Sequence, residues 1–169
     1  LLGSYGKVKT HVVKPQLTLE VYREADCSFC NPREDDNVGT MFCRHKRYAL
    51  SDEGAEDPYH EDAGVMYLQS AIAFVLPIYM FDHSGLAFSH SPFGCPWDSG
   101  QVGWHYVTKD SLRKNFDPSN PPSREQLAAL LEAELKTYDA WQRGDVFGFA
   151  VTNEEGSTVD GVGGFIGGN

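Results

Sequence analysis

The segment from Ser123 to Arg143 constrains the fold most. Pro121 and Pro122 precede it, Ser123 stands where an N-cap belongs, and Gln126 completes the reciprocal pair that closes a helix start. Leu127, Leu131, Leu135, Tyr138 and Trp141 recur every three or four residues, so one face of this helix is apolar and must be buried. Gly144 follows as the stop, because a helix ends readily on a residue free to adopt positive φ. One long helix late in the chain leaves the remaining residues to supply the surface it packs on.

That surface reads as strands. Leu17 to Tyr22 alternates apolar and polar residues. Met41 to Leu50 is a second candidate, with a basic stripe of Arg44, Lys46 and Arg47, and Val65 to Ala73 fits a short helix or a buried strand. Phe74 to Asp82 reads as a strand in which Pro77 demands an edge or a bulge. His83-Ser84-Gly85 turns the chain, and Leu86 to Ser89 returns to make a hairpin. Val102 to Thr108, Asp145 to Thr152 and Ser157 to Ile166 follow, the last two joined by the turn Asn153 to Gly156. The expected class is α+β: a mixed or antiparallel sheet with hairpins, packed on one long helix of the C-terminal half.

A chain of 169 residues with 41% hydrophobic and 12% aromatic content is expected to bury a core as a single domain over 1–169. The first fifteen or so residues, which open Leu1-Leu2-Gly3-Ser4 without Met, are expected to be a flexible arm or a processing remnant. No run approaches the roughly 18 apolar residues that cross a bilayer. The richest window, Val65 to Met80, is broken by Gln69, Ser70 and Pro77 and reads as core. Without a charged-then-apolar leader the expected location is the cytoplasm.

The net charge of −10 is the second constraint. It repels a phosphate backbone, so direct nucleic-acid binding is not expected. Ser51 to Asp62 holds Asp52, Glu53, Glu56, Asp57, Glu61 and Asp62 against His60 alone. Such a run is either a solvated loop or a patch that docks on a basic partner, with Glu53, Glu56 and Asp57 as contact candidates.

The stretch Ser91-Pro92-Phe93-Gly94-Cys95-Pro96-Trp97-Asp98-Ser99-Gly100-Gln101-Val102-Gly103 gathers the densest chemistry. Solubility alone would not place a tryptophan there, since its apolar surface needs a partner. Proline and glycine suit a loop held in one shape. Either something binds at Trp97 and Gln101, or the loop plugs a core.

Three chemistries are open. Cys27-x-x-Cys30, followed by Cys43 and His45, offers four soft ligands for a structural zinc ion, although Cys-x-His is tighter than the usual second half. The alternative makes Cys43 a buried thiol and His45 a surface residue of one strand face. Cys95 with Asp98 and His83, and with His90 and His105 near in sequence, supplies the ingredients of a thiol nucleophile, its base and an orienting group. Pro96, directly after Cys95, removes one backbone donor that an oxyanion hole would use. Asp35, Asp36, Asp82 and Asp98 would form an acid pair or a magnesium site if their loops converged; Asp82-His83-Ser84-Gly85 also reads as plain turn chemistry. Phosphate-binding glycine signatures are absent from the sequence.

Three ordered segments carry a resemblance. The first is Asn31-Pro32-Arg33-Glu34-Asp35-Asp36-Asn37-Val38-Gly39-Thr40-Met41, continuing through Cys43, His45, Arg47 and Tyr48. The second joins Tyr79-Met80-Phe81-Asp82-His83-Ser84-Gly85 to Cys95-Pro96-Trp97-Asp98-Ser99-Gly100-Gln101-Val102-Gly103, and the third joins Tyr138-Asp139 to Gly144-Asp145-Val146-Phe147-Gly148-Phe149. From about Asn31 onward the chain resembles a family of uncharacterised proteins of bacteriophages and mobile elements. It departs at Asp160-Gly161-Val162-Gly163-Gly164-Phe165, where that family would carry a Cys-Trp pair, and in Cys27 and Cys30. The resemblance implies a phage-like origin and no particular activity.

Small size, acidity and this resemblance lead to the expectation of a phage-encoded interaction protein in the cytoplasm of a bacterial host. It would bind, and inhibit or redirect, a host protein with a basic surface, with counter-defence as the sharpest form. The alternative is a small cysteine-dependent hydrolase or transferase centred on Cys95 with a nearby His and Asp98.

Overall fold

A computed structural model describes residues 4–14, 16–59 and 71–167. The expectations for Val65 to Ser70, and for His60, Glu61 and Asp62, lie outside the described residues. Two antiparallel sheets and two α-helices make up the described chain, which is α+β as the sequence indicates. It divides into two compact units, Leu1–Pro32 with Ala140–Asn169, and Arg33–Asp139.

The first unit is a four-stranded sheet in the order β1-β2-β7-β8, with β1 at Ser4–Lys14, β2 at Leu17–Glu24, β7 at Val146–Asn153 and β8 at Thr158–Ile166. Ser4–Lys14, within the segment expected to be an arm, is a strand of this sheet. Lys7, Lys9 and His11 of β1 pair with Tyr22, Val21 and Leu19, in a ladder broken by bulges. Leu17 to Arg23 runs in unbroken register against Asn153 to Phe147. Within this unit the Tyr22 hydroxyl is buried and has no hydrogen-bond partner among the described residues.

The second unit holds the order β3-β6-β4-β5, with β3 at Thr40–Cys43, β4 at Ile72–Asp82, β5 at Leu86–Ser89 and β6 at Ser99–Thr108. The expected strand from Met41 to Leu50 stops at Cys43, where pairing with Gly103 ends. Pro77 is accommodated because β5 covers only Tyr79 to Asp82, so at Pro77 the strand has a neighbour in β6 alone. A bulge follows at Ile78/Tyr79. Ser84, at φ 60°, turns β4 into β5.

Two helices complete the chain. The first, α1 at Lys109–Asn115, goes unseen in the sequence; Thr108 caps it by accepting from the Ser111 N–H at 3.0 Å. The second, α2 at Arg124–Gln142, matches the expected helix. Its capping box is made as read: Gln126 N–H donates to Ser123 Oγ at 3.2 Å, and Ser123 N–H to Gln126 Oε1 at 2.8 Å. Gly144 takes φ 70° at the stop. Leu127 and Leu131 of its apolar face join Phe74 of β4 and Val107 of β6 in the core, with Leu112 of α1 packed against them.

Candidate functional site

The loop between β5 and β6 is held in one shape by short-range bonds. Asp82 N–H, at the end of β4, donates to the Asp98 carbonyl at 2.8 Å, and the Ser99 hydroxyl donates to the Cys95 carbonyl. The Phe93 ring lies 5.7 Å from that of Phe81, anchoring the loop's start on β4. Trp97 projects from this pinned segment with 91% of its surface open to solvent. A tryptophan so exposed forgoes the burial that normally stabilises its large apolar surface.

Beside Trp97 lies a cleft of about 340 Å³ lined by His45, Arg47, Asp82, Trp97, Asp98 and Ser99. Arg47 donates to Asp82 Oδ2, and the Tyr48 hydroxyl approaches the same oxygen at 3.4 Å. The Arg47 guanidinium also lies 5.4 Å from the centre of the Tyr48 ring, and His45 stacks on Tyr48 at 5.0 Å. Asp98 Oδ2 meets His83 Nδ1 at 3.1 Å and the Cys95 thiol at 3.8 Å. Thiol and imidazole thus converge on one carboxylate oxygen. Catalytic thiols are instead activated by direct contact with a base.

A second constellation is buried in the same unit. Arg33 is 5% exposed at its side chain, and its N–H donors meet two carboxylates, an amide oxygen and a backbone carbonyl. Nε and Nη2 reach the two oxygens of Asp52 at 2.9 and 2.6 Å, and Nη2 also reaches the Gly39 carbonyl at 2.7 Å. Nη1 reaches Asn37 Oδ1 at 3.0 Å and Glu134 Oε2 at 3.4 Å. Asp52 also accepts the Met41 N–H at 2.7 Å, and Glu134 accepts the Val38 N–H at 2.8 Å. A buried ion pair is stable only when its remaining hydrogen-bonding capacity is satisfied, as it is here.

From Glu134 the network continues through two histidines. His105 Nε2 lies 3.2 Å from Glu134 Oε2, His90 Nε2 lies 3.3 Å from His105 Nδ1, and His90 Nδ1 lies 3.1 Å from Glu132 Oε2. Glu134 is surrounded by donors, so His105 is assigned its hydrogen on Nε2 and accepts at Nδ1 from His90. The last contact then closes only when His90 or Glu132 holds a further proton. Burial lowers the pKa of His105, and Arg33 lowers it further, against the opposing bond to Glu134. Burial and then the neighbouring His105 lower that of His90. Burial raises Glu134, but the His105 bond, the Val38 N–H and Arg33 outweigh it and leave it below the usual value. Gly39 makes room for this packing: a Cβ there would lie 2.3 Å from Leu131 Cδ2 and 2.5 Å from His105 Nε2.

No protein family, curated protein or solved structure matches this chain.

The residues singled out from the sequence fall into several places. Cys95 and Asp98 of the Trp97 loop meet His83 of the β4–β5 turn, and Asp82 joins Asp98 at the cleft. Asp35 and Asp36 do not line it, and Asp36 pairs with Lys114 at 3.1 Å. Gln101 is on β6 with its amide directed at the Gly103 carbonyl, 3.3 Å away. In the acidic loop, Glu53 and Glu56 are exposed, whereas Asp57 is drawn to Arg44 at 3.6 Å. Asp52 turns inward to Arg33, so this part of the loop is structural rather than solvated.

Of the proposed zinc ligands, Cys27 and Cys30 belong to the first unit and Cys43 and His45 to the second. The Cys30 thiol donates to the Cys27 carbonyl at 3.2 Å. Cys43 is buried on β3, and burial, followed by the Asp52 carboxylate, pushes its thiol up to about 12. Among the described residues, no group of three or more His, Cys, Asp or Glu side chains is arranged to hold a metal ion. Zinc therefore gains no support from the geometry.

Sequence reasoning missed the Arg33 network. Two signals for it were present. Arg33, Asn37 and Gly39 share one motif, and Glu134 interrupts the apolar stripe of α2 between Leu131 and Tyr138.

Proposed function

We propose that this chain is an acidic interaction protein of phage type that engages a host protein with a basic surface, and inhibits or redirects it. Trp97 carries the reading: it is 91% exposed on a loop already fixed by backbone and side-chain bonds. Rigid, open aromatic side chains are what binding surfaces use as anchors, because little conformational freedom is lost on contact. The net charge of −10 and the exposed Glu53 and Glu56 supply long-range attraction for a basic partner and repel nucleic acid. Among the described residues no helix is long and apolar enough to cross a membrane. The motif resemblance to phage proteins supports a partner in a bacterial cytoplasm, and a nuclease of host defence is the sharpest candidate.

The test is capture from bacterial lysate on immobilised full chain. A protein retained by the native chain, lost with Trp97→Ala and weakened with Glu53→Lys/Glu56→Lys, is the expected outcome. Retention indifferent to all three substitutions and to salt contradicts the reading.

One observation favours a second reading, a small cysteine-dependent hydrolase or transferase. Cys95 and His83 both reach Asp98 Oδ2, so a thiol and a candidate base share one carboxylate oxygen.

A further inference from the structure

Two carboxylates and an open indole border the same cleft. Asp82 uses Oδ2 for Arg47 and Tyr48, and Asp98 uses Oδ2 for His83 and Cys95. Neither Oδ1 has a hydrogen bond within the described residues, and Asp98 is 40% exposed at its side chain. The lining carries Arg47 against two carboxylates, Asp82 and Asp98, with His45 beside them. Arg47 donates to Asp82, and two carboxylates outnumber this one cation in the lining, which favours a cationic ligand over an anionic one.

We propose that this cleft receives an arginine side chain of the partner, its guanidinium lying on Trp97 and bonding the open oxygens of Asp82 and Asp98. This rests on the reading that the Trp97 loop meets a basic protein. Three features of the guanidinium fit the site. It is planar, and stacks on an indole face as a cation on a ring quadrupole. It presents its N–H groups as a fork, which matches carboxylate oxygens better than the point charge of lysine does. It is weakly hydrated, so entering a cleft costs it less than it costs an ammonium. The volume of about 340 Å³ suits one such side chain, at the small end of ligand sites.

The experiment titrates N-acetyl-arginine amide into the isotope-labelled full chain and follows the amide signals of Ser99 and Gly100 and the indole N–H of Trp97 by NMR. Saturable shifts confined to these residues are expected, with a dissociation constant on the order of 1 mM. Asp98→Asn, which keeps an acceptor for His83, should weaken binding about fivefold or more, and Trp97→Ala about tenfold. N-acetyl-lysine amide should bind less tightly. No saturable shift, equal binding of the lysine amide, preference for acetate, or binding untouched by both substitutions would each overturn the proposal. Failure here leaves the interaction protein itself standing, because lysate capture and the Glu53→Lys/Glu56→Lys variant test that separately.

Discussion

His105 Nε2 lies 3.2 Å from Glu134 Oε2, joining an imidazole with no solvent exposure on β6 to a carboxylate on the apolar face of α2. The pair locks helix to sheet. It also ties the motif Arg33–Gly39 to both, because Glu134 accepts from Val38 and Arg33. Glu134→Ala should therefore do more than remove a contact: it leaves His105 and the N–H groups of Val38 and Gly39 without this acceptor. A loss of about 3–5 kcal/mol in urea unfolding is expected, with Glu134→Gln falling well short of that. A loss under about 1 kcal/mol, the scale of a surface substitution, would show that the network is not what holds the unit together.

The same groups set the pH dependence. His90 and His105 have pKa values below the ordinary 6.5, so the unfolded chain binds protons more readily than the folded one. Their contribution to stability is full above 6.5 and is lost as pH falls through the depressed values. Glu134, depressed below 4.5, adds a loss in the same direction at lower pH. The melting temperature should fall steadily from pH 7.5 to 4, and His90→Phe should flatten the upper part of that fall.

Gly39→Ala places a methyl group 2.3, 2.5 and 2.9 Å from atoms of Leu131, His105 and Glu134, so these side chains must shift. Overpacking of this kind costs about 1–3 kcal/mol or more. Thermal denaturation measures it, and an unchanged melting temperature would mean that the loop shifts freely.

Tyr22→Phe acts in the opposite sense. The hydroxyl it removes is buried without a partner, so the substitution should be neutral or stabilising by about 1 kcal/mol. Destabilisation in urea unfolding would reveal a bound group that satisfies the oxygen.

Thiol chemistry separates the two functional readings. Cys43, buried and pushed up to about 12, should resist iodoacetamide until the chain is denatured. On the interaction reading Cys95 is labelled no faster than free cysteine. Labelling of Cys95 many times faster than that of free cysteine at neutral pH would favour the hydrolase or transferase.

What the sequence disclosed and withheld divides by the range of the interactions. The capping box of Ser123 and Gln126, the Leu127–Leu131–Leu135 stripe and the Gly144 stop are local, and all are present as read. Pro77 stated its own constraint, though the resolution, a neighbouring strand too short to reach it, depended on pairing. Strand β1 was overlooked although Val8, Thr10 and Val12 alternate with Lys7, Lys9 and His11; the alternation marks no core face, since Val8 and Val12 are exposed, and the register is bulged. The Arg33 network joins residues 19, 101 and 29 positions apart, and no spacing rule relates them. Asp52 shows the hazard: composition placed it in a solvated acidic run, and a single buried guanidinium turned it inward. At the Trp97 loop, composition signalled a site, whereas the convergence of His83, Cys95 and Asp98 required the hairpin to bring them together.

The most direct measurement is the dissociation constant of the captured host protein for the native chain and for Trp97→Ala, by calorimetry at two salt concentrations. An exposed aromatic anchor predicts weakening of about tenfold or more on substitution, together with weaker binding of both chains at higher salt. Equal affinities for the two chains would contradict the central claim that Trp97 is the contact on which binding depends.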